Sequence, residues 1–298
     1  MPEKKIKLHI EDLYKSYDGH VVLDNIDLTV REGELCTVVG PSGCGKSTLL
    51  KMVLGQETPD RGMVKIDGQE IYHPNTGRGI VYQRYSLFPN RTVLDNVVIG
   101  KTFTQGQWWN PLYKNKAHVE EAMQYLSRVR LADAANKYPH ELSGGMQQRA
   151  AIAQALIMKP PILLMDEPFG ALDPDTREEL QMFILELWET EKLTIFFVTH
   201  DLIEACFLGS RMLVLSQYYT DDRGHGDHVK RGGRIVADHH LTAVSNSLQV
   251  KESEEFMKLI QSVRKEGFDP DVRQHVKEFN LKHEDSFQTL LEEEHNGG

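Results

Sequence analysis

Eight residues restrict this chain more than any others: Gly40-Pro41-Ser42-Gly43-Cys44-Gly45-Lys46-Ser47 fits G-x-x-x-x-G-K-[ST], a loop whose backbone N–H groups wrap phosphate oxygens. Before it, Leu35-Cys36-Thr37-Val38-Val39 is a short apolar run rich in β-branched residues. After it, Thr48-Leu49-Leu50-Lys51-Met52-Val53-Leu54 reads as helix. Strand, loop and helix in this order predict an α/β fold built around a nucleoside triphosphate. The helix N-terminus offers its unpaired amides and positive dipole end to the β-phosphate. Lys46 is expected to reach the β- and γ-phosphates, and the Ser47 hydroxyl to ligate Mg²⁺.

A carboxylate must help hold that metal. Ile162-Leu163-Leu164-Met165-Asp166 is an apolar run ending in an acid, the pattern of a buried parallel strand that delivers Asp166 to its C-terminal edge. Glu167 follows, and because successive strand residues point to opposite sides it is expected to face away from Asp166 and act as general base toward a water in line with the γ-phosphate.

With both elements in place, the chain resembles the ATP-binding subunits of ABC transporters over roughly residues 6 to 240. The deciding segment is Leu142-Ser143-Gly144-Gly145-Met146-Gln147-Gln148-Arg149, which other phosphate-loop kinases and GTPases lack. In the family this signature opens a helix and faces the γ-phosphate held by the other subunit. The resemblance therefore implies a head-to-tail homodimer in which Gly40 to Thr48 of one copy and Ser143, Gly144, Gly145 and Gln147 of the other sandwich each ATP. It further implies that Tyr17 stacks on the adenine, that Gln83 senses Mg²⁺ and the attacking water, that His200 contacts the γ-phosphate, and that Asp173 links one site to its twin. His200 also ends the apolar run Thr194-Ile195-Phe196-Phe197-Val198-Thr199, and Asp173 precedes Pro174 as a helix cap would.

The fold expected on these grounds is a phosphate-loop α/β core with an antiparallel β layer, an inserted helical subdomain at about 90–158, and a short helical C-terminal extension. The β layer is predicted from Ile6-Lys7-Leu8-His9-Ile10, a turn at Asp18-Gly19 and a hairpin within 62–72. Boundaries are set at 1–243 for the ATP-binding domain and 244–298 for the extension. In the extension, Phe256, Leu259, Ile260 and Val263 have the spacing of an amphipathic helix. Further helices are expected around Val272, Val276 and Phe279, and toward Phe287, Leu290 and Leu291. Packing on the core, a longer dimer interface and a regulator site all remain open for this tail.

Composition narrows the partners. The net charge of −10 argues against affinity drawn from nucleic-acid phosphates. No run approaches the ~18–20 apolar residues of a membrane-spanning helix, and the start MPEKKIK does not read as a secretory signal. A cytoplasmic protein is expected, peripheral on the inner face of the membrane through separate permease subunits. Cys36, Cys44 and Cys206 give no disulfide framework. Cys44, beside Lys46 and a helix N-terminus, is expected to favour the thiolate, so that alkylating it blocks ATP binding.

Two segments depart from the family: Trp108-Trp109 between Gly106 and Pro111, and Tyr218 to His228. Pinning of the subdomain loop is favoured for the tryptophans. For His225, Asp227 and His228 with His239 and His240, a polar loop is favoured over a metal site. Residues 165–173 and 143–149 look most like the nitrate, sulfonate and taurine import group, with glycine-betaine importers next. The function expected is ATP hydrolysis that drives import of a small polar or anionic solute, with an extracytoplasmic solute-binding protein in the same system. The alternatives are a soluble ABC ATPase acting as an assembly scaffold, or one handling lipid.

Overall fold

The computed structural model describes residues 5–74, 78–83, 87–104, 115–224, 229–241 and 248–289. In chain order the strands and helices are β1 (Ile6–Tyr17), β2 (His20–Arg31), β3 (Leu35–Val39), α1 (Lys46–Leu54), β4 (Arg61–Ile66), β5 (Gln69–Glu70), β6 (Gly79–Tyr82) and α2 (Val93–Thr104). There follow α3 (Lys116–Arg128), α4 (Gly144–Leu156), β7 (Leu163–Asp166), α5 (Pro174–Glu191), β8 (Ile195–Thr199), α6 (Leu202–Leu208) and β9 (Arg211–Ser216). The last are β10 (Tyr219–Thr220), β11 (Arg234–His240), α7 (Glu254–Gly267), β12 (Gln274–His275) and β13 (Asn280–Leu281). They sort into two units, one of residues up to Pro74 with those from Leu185 onward, the other of Asn75–Ile184.

The first unit carries an antiparallel sheet in the order β2-β1-β4-β5 and a mixed sheet that includes the run β13-β11-β9-β3-β8. Alternation in β1 places Leu8 and Ile10 inward at 0% exposure, and the Asp18-Gly19 turn closes the hairpin to β2. In β3 and β8 every residue is buried. That is why both read as unbroken apolar runs rather than alternating ones. β3 runs parallel to β8 and to β9, so the chain returns through helices, and α1 is the helix that leaves the end of β3.

In the second unit β6 and β7 pair in parallel, with Tyr82 opposite Asp166 at their C-terminal ends. Helices α2, α3 and α4 occupy the stretch between these strands. Asn115 caps α3 by accepting the Ala117 N–H at 3.0 Å, and Ala122, Tyr125 and Leu126 bury its apolar face. Buried Asn96 donates its amide to the Phe88, Arg91 and Thr92 carbonyls, fixing the turn before α2.

The tail differs from its expectation after Pro270. Helix α7 forms where the spacing placed it, capped by Ser253 and burying Phe256, Ile260 and Val263. Beyond it, the expected helix at Val272 to Phe279 is reduced to one 3-10 turn at Val276–Glu278, and none is formed toward Phe287 among the described residues. β12 instead pairs in parallel with β10, and β13 with β11. Two edge strands offered unpaired N–H and C=O groups, and satisfying them outweighs a weak helical spacing of three apolar residues. Leu290 and Leu291 lie outside the described residues. So do Trp108-Trp109 and His225, Asp227 and His228, while His239 is engaged by Glu266 at 2.8 Å.

Past β13 the chain crosses β1 and β2. The Phe287 ring stacks on His9, and the Asp27 carboxylate accepts N–H bonds from Asp12 at 2.8 Å and Thr289 at 2.7 Å. Burial nevertheless pushes the Asp27 pKa up to about 6. A folded-state pKa above the unfolded one gives stability that is present below about pH 4 and lost as pH rises through about 6. Relative to Asp27→Asn, which does not titrate, the wild type is therefore expected to lose on the order of 2 kcal/mol between pH 4 and 7. Urea titrations of both proteins across that range measure it, and parallel stability curves would refute it.

Candidate functional site

In the first unit the predicted phosphate loop has the form its residues demand. β3 ends at Val39, the loop turns over Pro41 to Gly45, and α1 begins at Lys46. Gly45 is the helix N-cap in a left-handed conformation, φ 101°. A Cβ there would also lie 2.7 Å from Leu23 Cδ2 and 2.8 Å from the Val22 carbonyl oxygen, so only glycine fits. Lys46 is buried, its Nζ donating to the Gly40 carbonyl at 2.7 Å and to that of Pro41 at 3.0 Å. Its ammonium is thus held over the loop. Ser42, Gly43 and Ser47 are exposed, so the loop offers solvent a concentration of amides and hydroxyls at a helix N-terminus.

Cys44 does not behave as its neighbours in sequence suggested. Its side chain is 1% exposed, and burial raises the thiol's pKa against the pull of Lys46. A thiol in that setting is protonated and out of reach of alkylating reagents, so the expected reactive thiolate is withdrawn. Desolvation outweighs the one cation and the helix end.

Two further candidates lie in the same unit. Tyr17 ends β1 with 39% of its surface exposed, and Lys15 Nζ sits 5.3 Å from its ring centroid. His200 follows β8 and is exposed. Its turn is fixed by neighbours: the Asp201 N–H donates to Thr199 Oγ1 at 3.1 Å, and the Asp201 carboxylate caps α6 through the Ile203 and Glu204 N–H groups.

In the second unit β7 brings half-buried Asp166 to the C-terminal end of the strand, next to the end of β6. Gln83 and Glu167 are the next residues on these two strands' chains. The Gln83 amide nitrogen lies 2.6 Å from where a Cβ on Gly170 would be, within the turn that Glu167 opens. Glu167 lies just outside β7, so strand alternation does not set its direction. Its backbone is left-handed, φ 45°, which bulky residues adopt at a cost of order 1–3 kcal/mol. The residue after Asp166 therefore sits in a strained turn rather than in the strand.

The signature residues lie where α4 begins. Exposed Ser143 is the N-cap, its Oγ accepting the Met146 N–H at 3.3 Å, and Gln147 Nε2 donates to the Leu142 carbonyl at 3.2 Å. A Cβ on Gly145 would meet Thr176 Cγ2 at 2.6 Å, so its absence lets α5 start alongside. Asp173 caps α5, accepting the Thr176 N–H at 3.0 Å, and that backbone bond lowers its pKa. Sequence reasoning assigned nothing to Gln148, which is fully buried with Nε2 3.5 Å from the Tyr82 carbonyl. It joins the signature helix to the strand that leads into Gln83. Its only signal was a second glutamine on a helix of small apolar residues.

Tyr17, Gly40 to Thr48 and His200 thus belong to the first unit, and Gln83, Ser143 to Gln147, Asp166, Glu167 and Asp173 to the second. The ABC transporter family model matches residues 23–170. The chain is 47% identical over 216 residues to an uncharacterised ABC transporter ATP-binding protein of Methanocaldococcus jannaschii, covering 71% of this chain and 78% of that one. It is 43% identical over 213 residues to the nitrate import ATP-binding protein of Synechocystis, covering 70% and 77%. Among solved structures, a dimeric bacterial ABC transporter cassette superposes with a TM-score of 0.62 at 30% identity, over 80% of this chain and 100% of that one.

Proposed function

The chain belongs to the ABC transporter ATP-binding family, and from that premise we propose that two copies of it clasp two Mg-ATP head to tail and drive a separate permease importing a small polar or anionic solute. The chain is an ATPase whose working partners are a second copy of itself and a membrane permease. A solute-binding protein on the far side of the membrane completes the import system. Among the described residues no helix is long and apolar enough to cross a membrane. The permease is what holds the chain to the cytoplasmic face.

The donors present suit Mg-ATP. Exposed amides and hydroxyls at the start of α1, with the Lys46 ammonium held over them, match a polyphosphate. Ser47 Oγ, the Asp166 carboxylate and the Gln83 amide oxygen are the hard ligands Mg²⁺ takes. When bound, Mg²⁺ neutralises charge on the β- and γ-phosphates. The residues then have these roles: Tyr17 stacks on the base, Lys46 and the amides of Gly40 to Thr48 bind phosphate, and His200 contacts the γ-phosphate. Glu167 takes the proton of the attacking water. From the twin come Ser143, Gly144, Gly145 and Gln147, while Asp173 ties the two sites together.

The observation that carries this reading is the phosphate loop itself, with left-handed Gly45 opening α1 and Lys46 gathered over the loop. The nitrate import relative supports an anionic or small polar solute. Affinity capture of the chain from detergent-solubilised membranes of its own cells is expected to bring down a multi-span membrane protein in comparable amount. Recovery of the chain alone, with ATP turnover indifferent to that protein, would contradict it.

A further inference from the structure

The segment between β9 and β11, which contains the departure from the family at Tyr218 to His228, ends against the phosphate loop. Gly233 donates its N–H to the Val22 carbonyl at 2.8 Å and accepts the Asp24 N–H at 3.0 Å, a short parallel bridge to β2. On its other side the Cys44 carbonyl oxygen lies 1.9 Å from where a Cβ on Gly233 would stand. A separation that short is impossible for any side chain, and what it meets is backbone of the loop. The Val22 carbonyl that receives the Gly233 N–H is also the one packed against Gly45. Gly233 and β2 thus form the wall on which the loop is seated.

That wall is anchored by buried charge. Asp24, 1% exposed, accepts from the Tyr219 hydroxyl at 2.8 Å and from Arg223. Asp221, 4% exposed, accepts from Arg223 and, at 2.9 Å, from Arg231, two residues before Gly233. The extension grips the same segment through the β10–β12 pairing and the edge of Phe279 on Tyr219.

We propose that Gly233 is a positioning residue for nucleotide binding: its missing side chain and the Asp24, Asp221, Arg223 and Arg231 anchors hold the Cys44 carbonyl, and with it the phosphate loop, in its binding form. The proposal rests on the nucleotide reading of Gly40 to Thr48. Steady-state ATP hydrolysis by the full-length protein tests it. Gly233→Ala is expected to raise the KM for ATP at least ~10-fold, far more than it changes kcat at saturating ATP. Gly62→Ala places a Cβ 2.3 Å from the Asp12 carbonyl in the antiparallel sheet, and is expected to lower the melting temperature with KM unchanged.

An unchanged KM in Gly233→Ala would overturn the proposal, as would an equal rise in Gly62→Ala. Should Gly233→Ala fail to fold, Asp221→Asn keeps the side chain's shape while loosening both arginines and is expected to raise KM ~3-fold. An unchanged KM in that variant would equally overturn it. Lys46→Ala separates the two levels: if it does not weaken ATP binding, the nucleotide reading fails. If it does weaken binding while Gly233→Ala and Asp221→Asn behave as wild type, only the positioning role fails.

Discussion

Replacing Glu167 by Gln is expected to slow ATP turnover at least ~10²-fold while leaving nucleotide affinity in place. The carboxylate sits one residue beyond β7, in a turn closed by the Gly170 N–H to the Glu167 carbonyl at 3.1 Å, with the Gln83 amide packed on the same turn. The left-handed backbone at Glu167 is the kind of strain that persists where the surrounding structure imposes it. Glutamine keeps the shape and the hydrogen-bonding reach but cannot accept the water's proton. Phosphate release and equilibrium ATP binding, measured on the same preparation, separate the two steps. Turnover near that of the wild type would remove Glu167 from its role.

Arg211→Leu is expected to destabilise the fold by about 3–5 kcal/mol, because it strands buried charge. Arg211 is 1% exposed and makes a two-pronged bond to Asp238 at 2.8 and 2.6 Å, donates to the Thr29 carbonyl, and lies 3.6 Å from Glu34. Those two carboxylates also receive the tail: Ser286 donates to Asp238, and His283 Nε2 lies 3.2 Å from Glu34. Asp285 in turn pairs with Arg31. Leucine fills part of the volume and neutralises nothing, so Asp238 and Glu34 are left desolvated. Urea unfolding at pH 7 measures the loss. A change within ~0.5 kcal/mol, the range of ordinary surface substitutions, would refute the account of how the tail is held.

Local chemistry made much of the fold legible. A strict glycine spacing between a β-branched run and a helical one can fold in few ways, and β3, the loop and α1 appeared where Leu35 to Leu54 put them. Phe256, Ile260 and Val263 bury one face of α7 because 3.6-residue spacing specifies a face without reference to the rest of the chain. The failures are those of long range. For Cys44, sequence shows the adjacent lysine but not the depth of burial, which decided the thiol's state.

The tail after Pro270 paired with β10 and β11 because their open edges outweighed a weak periodicity, and edges are invisible in a linear reading. Glu167 follows Asp166 in a turn rather than in the strand from which alternation was read, and no propensity records that strain. Gly233 lies nearly two hundred residues from the loop it supports, as the numbering of Cys44 shows.

The central claim is that each nucleotide site is completed by a second copy of the chain. Glu167→Gln, which should trap the state before hydrolysis, offers the most direct measurement: its molar mass by light scattering, with bound nucleotide counted, as Mg-ATP is added. A shift from monomer to twice the monomer mass with two ATP per dimer, absent when Ser143 is also replaced by Arg, is the predicted result. Saturation with ATP while the mass remains that of a monomer would contradict it.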